Sequence, residues 1–474
     1  MKTIYYKFLA ICLLLLPQVA CKKLVAVDPP VTSTTGVDAF NSDATASAVL
    51  TGIYTNLSAG SFATGGNDIS ILAGLSSDEL SLFNDGSNPT YSVYYSNVLT
   101  NSSFSFWDAI YPTVFVINSA IEGVSSTKSL TPAVQQQLLG EAKFMRAFCY
   151  FYLVNFYGDV PLVTGTNYQV NAILPRTPKA QVWEQIIADL QSAASLLSPN
   201  YLDATLLNTT SERVRPTQGA ANALLARAYL YTGDWVDAQA QASQVINNSG
   251  TYNLVSNLDS VFLANSNEAI WQLQPVNAGH NTEDALIFIL PASGPGDAFP
   301  LYLDSLLVNT FEPDDQRRVL WVDSVIVNGT SFYFPYKYEN NNIGAPVTEY
   351  LMVLRLAEQY LIRAEAEAQG AQGGTNAAIL DLDAIRSRAG LPNYAGGTDQ
   401  QSVLNAIYHE RQVELFTEWG HRWLDLKRTG TVDNVMTLIE SQKQETWSDY
   451  KQWYPLPLTD LQYDHNLVQN AGYQ

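Results

Sequence analysis

The sequence predicts a mostly α fold, in which tetratricopeptide-like helix pairs carry a loop-rich insertion with short strands. Three observations predict it. Between Asn222 and Ile246, the residues Leu225, Ala226, Tyr229, Gly233, Trp235 and Ala238 fall where the tetratricopeptide pattern places its Leu, small residue, Tyr, turn Gly, aromatic and Ala. An Arg-Ala pair recurs inside three helical patterns, as Arg146-Ala147, Arg227-Ala228 and Arg363-Ala364. From Thr251 to Thr348 the helical period disappears into short alternating runs such as Phe332-Tyr333-Phe334, set among Gly294, Pro295, Gly296 and Asn340-Asn341-Asn342.

Each element follows from local pattern. Lys2 and Lys7 precede an apolar run from Phe8 to Leu16, which is too short to span hydrocarbon and predicts a signal peptide over residues 1–20. Val19-Ala20-Cys21 then places small residues before a thiol, so Cys21 is the candidate lipidation site. The alternative is ordinary cleavage nearby with Cys21 incidental, and Gln18 stands where lipoprotein signals usually carry Leu. Residues 21–37, with Pro29-Pro30 and a Thr/Ser run, predict a tether. The remainder, 38–474, is expected to be one domain in four stretches. N-terminal helices and a ligand loop occupy 38–137, with the Gly-, Ser- and Asn-rich segment Asn67 to Ser103 as a long surface loop. Tetratricopeptide-like helices occupy 138–250. They begin with the stripe Leu138, Ala142, Met145, Cys149, Leu153 and Phe156, which Gly158-Asp159 and Pro161 terminate, and include a helix from Gln181 to Leu197. The insertion occupies 251–348. The last stretch, 349–474, opens with stripes at Leu354, Ala357, Leu361, Ala364 and Ala368, and at Ala378, Leu382, Ile385 and Ala389.

Composition excludes several functions. A net charge of −20 argues against nucleic acid, whose phosphates demand clustered Lys and Arg. Charged residues are 15% of the chain against 27 Tyr and 9 Trp, a balance that suits neutral, hydroxyl-rich ligands, although most individual aromatics fill cores. Beyond the leader only Cys21 and Cys149 remain, so no internal disulfide framework exists, and Cys149 on an apolar stripe reads as a small buried hydrophobe. His409-Glu410 lacks the second histidine of a zinc-binding HExxH because Val413 stands there. Four histidines and no Cys pairs supply no dedicated metal site, and no Gly-rich phosphate loop or Gly-x-Ser-x-Gly elbow is present. No metal and no cofactor are expected. Glu410, Glu414 and Glu418 are spaced for one helix face and could imitate a glycosidase pair, but Arg411, Arg422 and Arg428 nearby favour a structural charge network.

Four ordered stretches resemble signatures of the SusD/RagB family, the outer-membrane nutrient-binding lipoproteins of Bacteroidetes that include starch-binding SusD-like proteins. Glu141-Ala142-Lys143-Phe144-Met145-Arg146-Ala147 running into Tyr157-Gly158-Asp159-Val160-Pro161-Leu162 is similar to one. Leu354 to Glu358, with Arg363-Ala364-Glu365 and Ile385 to Gly390, is similar to a second. Glu410-Arg411, Glu414-Leu415, Glu418, Gly420 to Trp423 and Asp425 to Arg428 resemble a third, and Tyr454 to Pro457 through Asn466, Gln469-Asn470 and Gly472-Tyr473 the closing segment. The resemblance implies a right-handed α-superhelix holding a variable, loop-built ligand face. It also implies a SusC-like TonB-dependent transporter as partner, and capture of glycans, or in some branches peptides, before import. Lys22-Lys23 follow Cys21 in place of the acidic cluster that often directs such lipoproteins outward.

The expected function is therefore non-catalytic glycan capture at the cell surface by a protein lipid-anchored to the outer membrane. Sugar rings stack on aromatic faces while polar side chains bond their hydroxyls. The candidate ligand residues are Tyr91, Tyr94, Tyr95, Tyr302, Trp321 and Tyr336, with Asp78 as a polar partner. Peptide capture, and a scaffold that holds only a protein partner, are the alternatives.

Overall fold

The computed structural model describes residues 38–473 except 85 and 444; the leader, Cys21 and the tether lie outside the described residues. Helices dominate. After α1 (Asp43–Gly60) come α2 (Ile69–Ser76), α3 (Pro89–Tyr95), α4 (Trp107–Ser126), α5 (Pro132–Tyr157) and α6 (Lys179–Leu196). They are followed by α7 (Gln218–Thr232), α8 (Trp235–Ile246), α9 (Leu356–Ala368), α10 (Gly374–Arg388), α11 (Gln400–Glu414), α12 (His421–Arg428) and α13 (Val432–Gln442). Among the described residues no helix is long and apolar enough to cross a membrane.

The scaffold is a relay of packed neighbours: α5 packs on α6, α6 on α7, α7 on α8, α8 on α9, α9 on α10 and α10 on α11. Small side chains permit the close approach, since Ala220, Ala223, Ala226 and Ala228 of α7 are all fully buried. Gly233 caps α7 at φ +78°, a left-handed conformation open to glycine, and Trp235 begins α8 beside it.

The three Arg-Ala pairs have one physical role. Arg146 on α5 forms two hydrogen bonds of 2.7 Å to Asp189 on α6. Arg227 on α7 holds Glu358 on α9 through two of 2.6 Å. Arg363 on α9 holds Asp381 on α10 at 2.6 and 2.7 Å. In each case the guanidinium fork meets a carboxylate on another scaffold helix while the following alanine keeps the helices close.

The segment Asn67 to Ser103 is not a long surface loop. It contains α2, β1 (Leu80–Leu82) and α3, and nearly every residue from Asp68 to Leu82 is buried. The Asp68 carboxylate caps α2 by accepting from the Ile71 N–H at 2.9 Å, and Ile69, Ile71, Leu72 and Leu75 fill the core. Within the insertion the strands are β2 (Ala269–Leu273), β3 (Leu301–Leu303), β4 (Val322–Val327) and β5 (Thr330–Pro335), with β6 (Leu351–Arg355) after it. They form three two-stranded antiparallel sheets, β1–β3, β2–β6 and β4–β5. β1–β3 ties the amino-terminal part to the insertion, with Leu80 opposite Leu303 and Leu82 opposite Leu301.

Candidate functional site

An aromatic face forms where β1, β3 and the β4–β5 hairpin meet. The Tyr302 ring of β3 packs edge-on against Phe332 of β5 at 5.3 Å between centroids, and Phe83, just beyond β1, packs against the same ring at 6.4 Å. Phe83 is 37% exposed, and Tyr302 and Phe332 are half-buried, so ring surface is open to solvent at all three. Backbone pairing fixes their spacing, because the Phe83 N–H donates to the Pro300 carbonyl at 2.7 Å. Polar groups border the rings. Asn84 Nδ2 donates to Asp297 Oδ1 at 3.0 Å, and Ser81 Oγ donates to Asp304 Oδ2 at 2.7 Å. Gly294, at φ +80°, lies beneath this edge; a Cβ there would sit 2.5 Å from Cγ2 of Val327. Burial raises the Tyr302 hydroxyl pKa while Ser81 opposes the shift, so the phenol stays protonated and able to hydrogen-bond.

Of the residues predicted from sequence, Tyr302 belongs to this face. Tyr336 is half-buried just past β5, edge-on to Phe334 at 6.1 Å. Tyr95 is half-buried at the end of α3, with the Lys443 ammonium 4.5 Å above its ring. The other four are interior. Tyr94 is 1% exposed, donates to the Phe104 carbonyl at 2.9 Å and meets Tyr454 at 5.3 Å. Tyr91 is buried on the same helix, its hydroxyl directed toward Gly66. Trp321 is also 1% exposed, and its indole N–H donates to the Leu258 carbonyl at 3.1 Å. Asp78 is buried in a bidentate pair with Arg422, both bonds 2.7 Å. A ring enclosed on both sides cannot stack on a sugar, and a carboxylate committed to a guanidinium has little left for a hydroxyl, so these four are corrected to structural residues. Phe83 and Phe332 were missed. The available signal was the turn-favouring Asn-Asp-Gly sequence after Phe83, and the strand alternation that places Phe332 and Phe334 on one side.

The acidic triplet has a different place. Glu410 and Glu414 lie on α11 while Glu418 falls in the turn beyond it, and all three are buried. Arg317 bonds Glu410 at 2.6 Å and Glu414 at 2.8 Å, and Arg355 of β6 bonds Glu418 at 2.8 Å. Arg388 bonds both Glu414 and Glu268, and Lys337 bonds Glu418 at 2.5 Å. Burial pushes the Glu414 carboxyl up, but Arg388, Arg355 and Arg317 more than reverse this and hold it well below the usual range. A carboxylate so held is a poor proton donor or acceptor near neutrality. Trp321 closes this knot, with Lys337, Arg388 and Arg355 at 5.1, 5.6 and 5.8 Å from its ring. Among the described residues no three His, Cys, Asp or Glu side chains converge as metal ligands. Burial pushes the Cys149 thiol up, which leaves it a packing residue.

Comparison with known proteins decides the family. Residues 32–230 match the family model described as starch-binding and associating with the outer membrane, and residues 326–473 match the SusD family model. Together the two cover more than half of the sequence. The chain belongs to the SusD/RagB family. Among its relatives, SusD-like protein P2 of Formosa agariphila is 27% identical over 421 residues, 78% of this chain and 80% of that protein. The starch-binding protein SusD of Bacteroides thetaiotaomicron is 22% identical over 440 residues, 74% of this chain and 75% of that protein. The SusD fold is equally plain. A SusD superfamily protein from Bacteroides vulgatus superposes with a TM-score of 0.76 at 22% identity, covering 92% of this chain and all of that one. A laminarin-binding SusD-like protein superposes at 0.75 and 23% identity, covering 90% of this chain and 99% of that one.

Proposed function

We propose that this SusD/RagB member is a non-catalytic glycan-binding protein that captures oligo- or polysaccharide on the aromatic face of Phe83, Tyr302 and Phe332. The observation that carries this reading is the exposure of Phe83 and Tyr302, each packed against Phe332, beside Asn84 and Asp297, in a family described as starch-binding. Sugar C–H faces are apolar and their edges polar, which rewards rings bordered by amide and carboxylate groups. Starch and laminarin, the polymers in the relatives' names, are the first ligands to test. Tyr336 and Tyr95 are proposed as peripheral contacts. The enclosure of Glu410, Glu414 and Glu418 supports binding without turnover. Cys21 is proposed as the lipid anchor, and delivery to a SusC-like TonB-dependent transporter as the physiological step. The test is retention of the chain on a polysaccharide panel with reducing-end release assayed in the same samples. Retention on one polymer without release is the expected result; release that disappears in Glu414→Gln would replace the reading with an enzyme. Retention on none, with competition by oligopeptides, would transfer it to peptide capture.

A further inference from the structure

A second opening lies away from the aromatic face. It is a cleft of about 720 Å³ between the start of α4, the short helix Tyr168–Asn171 and the carboxy-terminal helix Leu458–Tyr463. Its floor is the Trp107 and Tyr111 pair, 4.6 Å apart, with the Tyr111 hydroxyl donating to the Pro161 carbonyl at 2.8 Å. Its walls are Tyr168 and Tyr463, 73% and 85% exposed, which fill no core. Two open rings on separate elements above an aromatic floor form a site for a ring-shaped ligand, and the volume suits two or three sugars.

Charge narrows the ligand class. Asp108 and Asp460 line the cleft, and no Lys, Arg or His side chain is among its lining residues. Neither carboxylate forms an ion pair within the described residues, and at Asp460 the Trp107 side chain works against the upward shift. Both carboxyls are pushed up, first by burial and then by a neighbouring acid, Asp460 for Asp108 and Asp464 for Asp460. A neutral hydroxyl leaves that repulsion in place, an anion adds to it, and a cation relieves it while also gaining from the tyrosine faces. The net charge of −20 draws cations in the same direction.

We propose that this cleft is a second binding site, for glycans carrying a free protonated amine, with the amine at Asp108 and Asp460 and the sugar ring against Tyr168 and Tyr463. The glycan-binding reading enters only in making a sugar the carrier of the amine.

Calorimetric titration of the full-length chain in detergent with glucosamine trimer, N-acetylglucosamine trimer and trilysine tests it. The glucosamine trimer should bind, and its N-acetylated counterpart should bind at least about tenfold more weakly. Tyr463→Ala and Asp460→Asn should each weaken the glucosamine trimer about threefold to tenfold with unchanged thermal unfolding. Asp108→Asn, at an exposed position, serves the same purpose if Asp460→Asn unfolds. Phe83→Ala/Phe332→Ala should leave this binding intact while removing neutral-polysaccharide retention. Equal affinity for the two trimers, no binding of the glucosamine trimer, or indifference to the cleft substitutions would overturn the assignment. Trilysine binding as tightly as the glucosamine trimer would overturn it in favour of a peptide cation. Loss of neutral-polysaccharide retention alone would sink the proposal for the aromatic face and leave this one standing.

Discussion

Two aromatic clusters in this molecule have similar composition and opposite environments. Tyr94, Phe106, Phe156 and Tyr454 form an interior stack, with Phe156 and Tyr454 parallel at 5.1 Å and Tyr94 edge-on to Tyr454 at 5.3 Å. At the surface, Tyr302 meets Phe332 edge-on at the same 5.3 Å, with Phe83 edge-on to Phe332 at 6.4 Å. Ring-to-ring distance therefore does not distinguish a core from a binding face. What differs is the backing: the interior rings are closed by α5 and the Tyr454 segment, whereas the surface rings sit on two-stranded sheets with one side uncovered.

Truncation separates the clusters most sharply. Tyr94→Ala or Trp321→Ala should each cost about 3–5 kcal/mol of stability by opening a cavity, read by chemical denaturation. Any loss of glycan retention in these variants should track unfolding. A stable Trp321→Ala that still fails to bind would return Trp321 to the ligand face and break the comparison. Beneath Trp321, Glu414→Gln should cost about 3–5 kcal/mol, because it removes one negative charge from a buried cluster in which Arg317, Arg355 and Arg388 all meet Glu414.

Acidity tests the interior independently of any substitution. Burial pushes the Glu358 carboxyl up, but Arg227, with His421 and Arg411, holds it at about 2, and Glu414 is likewise held low. A carboxylate depressed in the folded state contributes stability above its unfolded value, about 4.3, and loses it as pH falls through the folded value. Denaturation midpoints should therefore fall between about pH 5 and pH 2. Glu79 behaves in the opposite sense. Burial and then Asp78 push it up to about 8, so its contribution is present when it is protonated and is lost as pH rises toward 8. Glu79→Gln should flatten that decline between about pH 4.3 and 8; an unchanged decline would show that Glu79 ionises freely in the fold.

The smallest stability effect accompanies the largest functional one. Phe83→Ala/Phe332→Ala should change stability by only about 1 kcal/mol while abolishing polysaccharide retention. Retention that survives would remove the surface cluster from the ligand face and leave the comparison purely architectural.

Much of the scaffold was legible because helix pairs write their contacts at spacings of three and four. The Leu225 to Ala238 pattern and the Arg-Ala pairs mark helices whose partners the structure supplies. The segment Asn67 to Ser103 misled because α2 has only eight residues, and its serines and glycine are buried alongside the leucines. The candidate site was partly legible. Tyr302, chosen for its setting in an irregular segment, lies on the aromatic face, but the same reasoning selected Trp321 and Tyr94, which are interior, since a large ring between turns looks alike whether it faces in or out. Exposure there depends on the long-range pairing of β1 with β3, which no local period encodes.

That pairing has a consequence for biogenesis. Ser81 and Asp304, hydrogen-bonded across β1–β3, are 223 positions apart in the chain. Local helix pairs can close early, whereas this strand pair must wait until the chain through the insertion has been synthesised and docked. The aromatic face is thus assembled only once the β4–β5 hairpin has followed β1 and β3 in synthesis. A chain that ends before the insertion keeps the helix pairs through α8 but not these paired strands, so the arrangement of Phe83, Tyr302 and Phe332 reports that the insertion has docked.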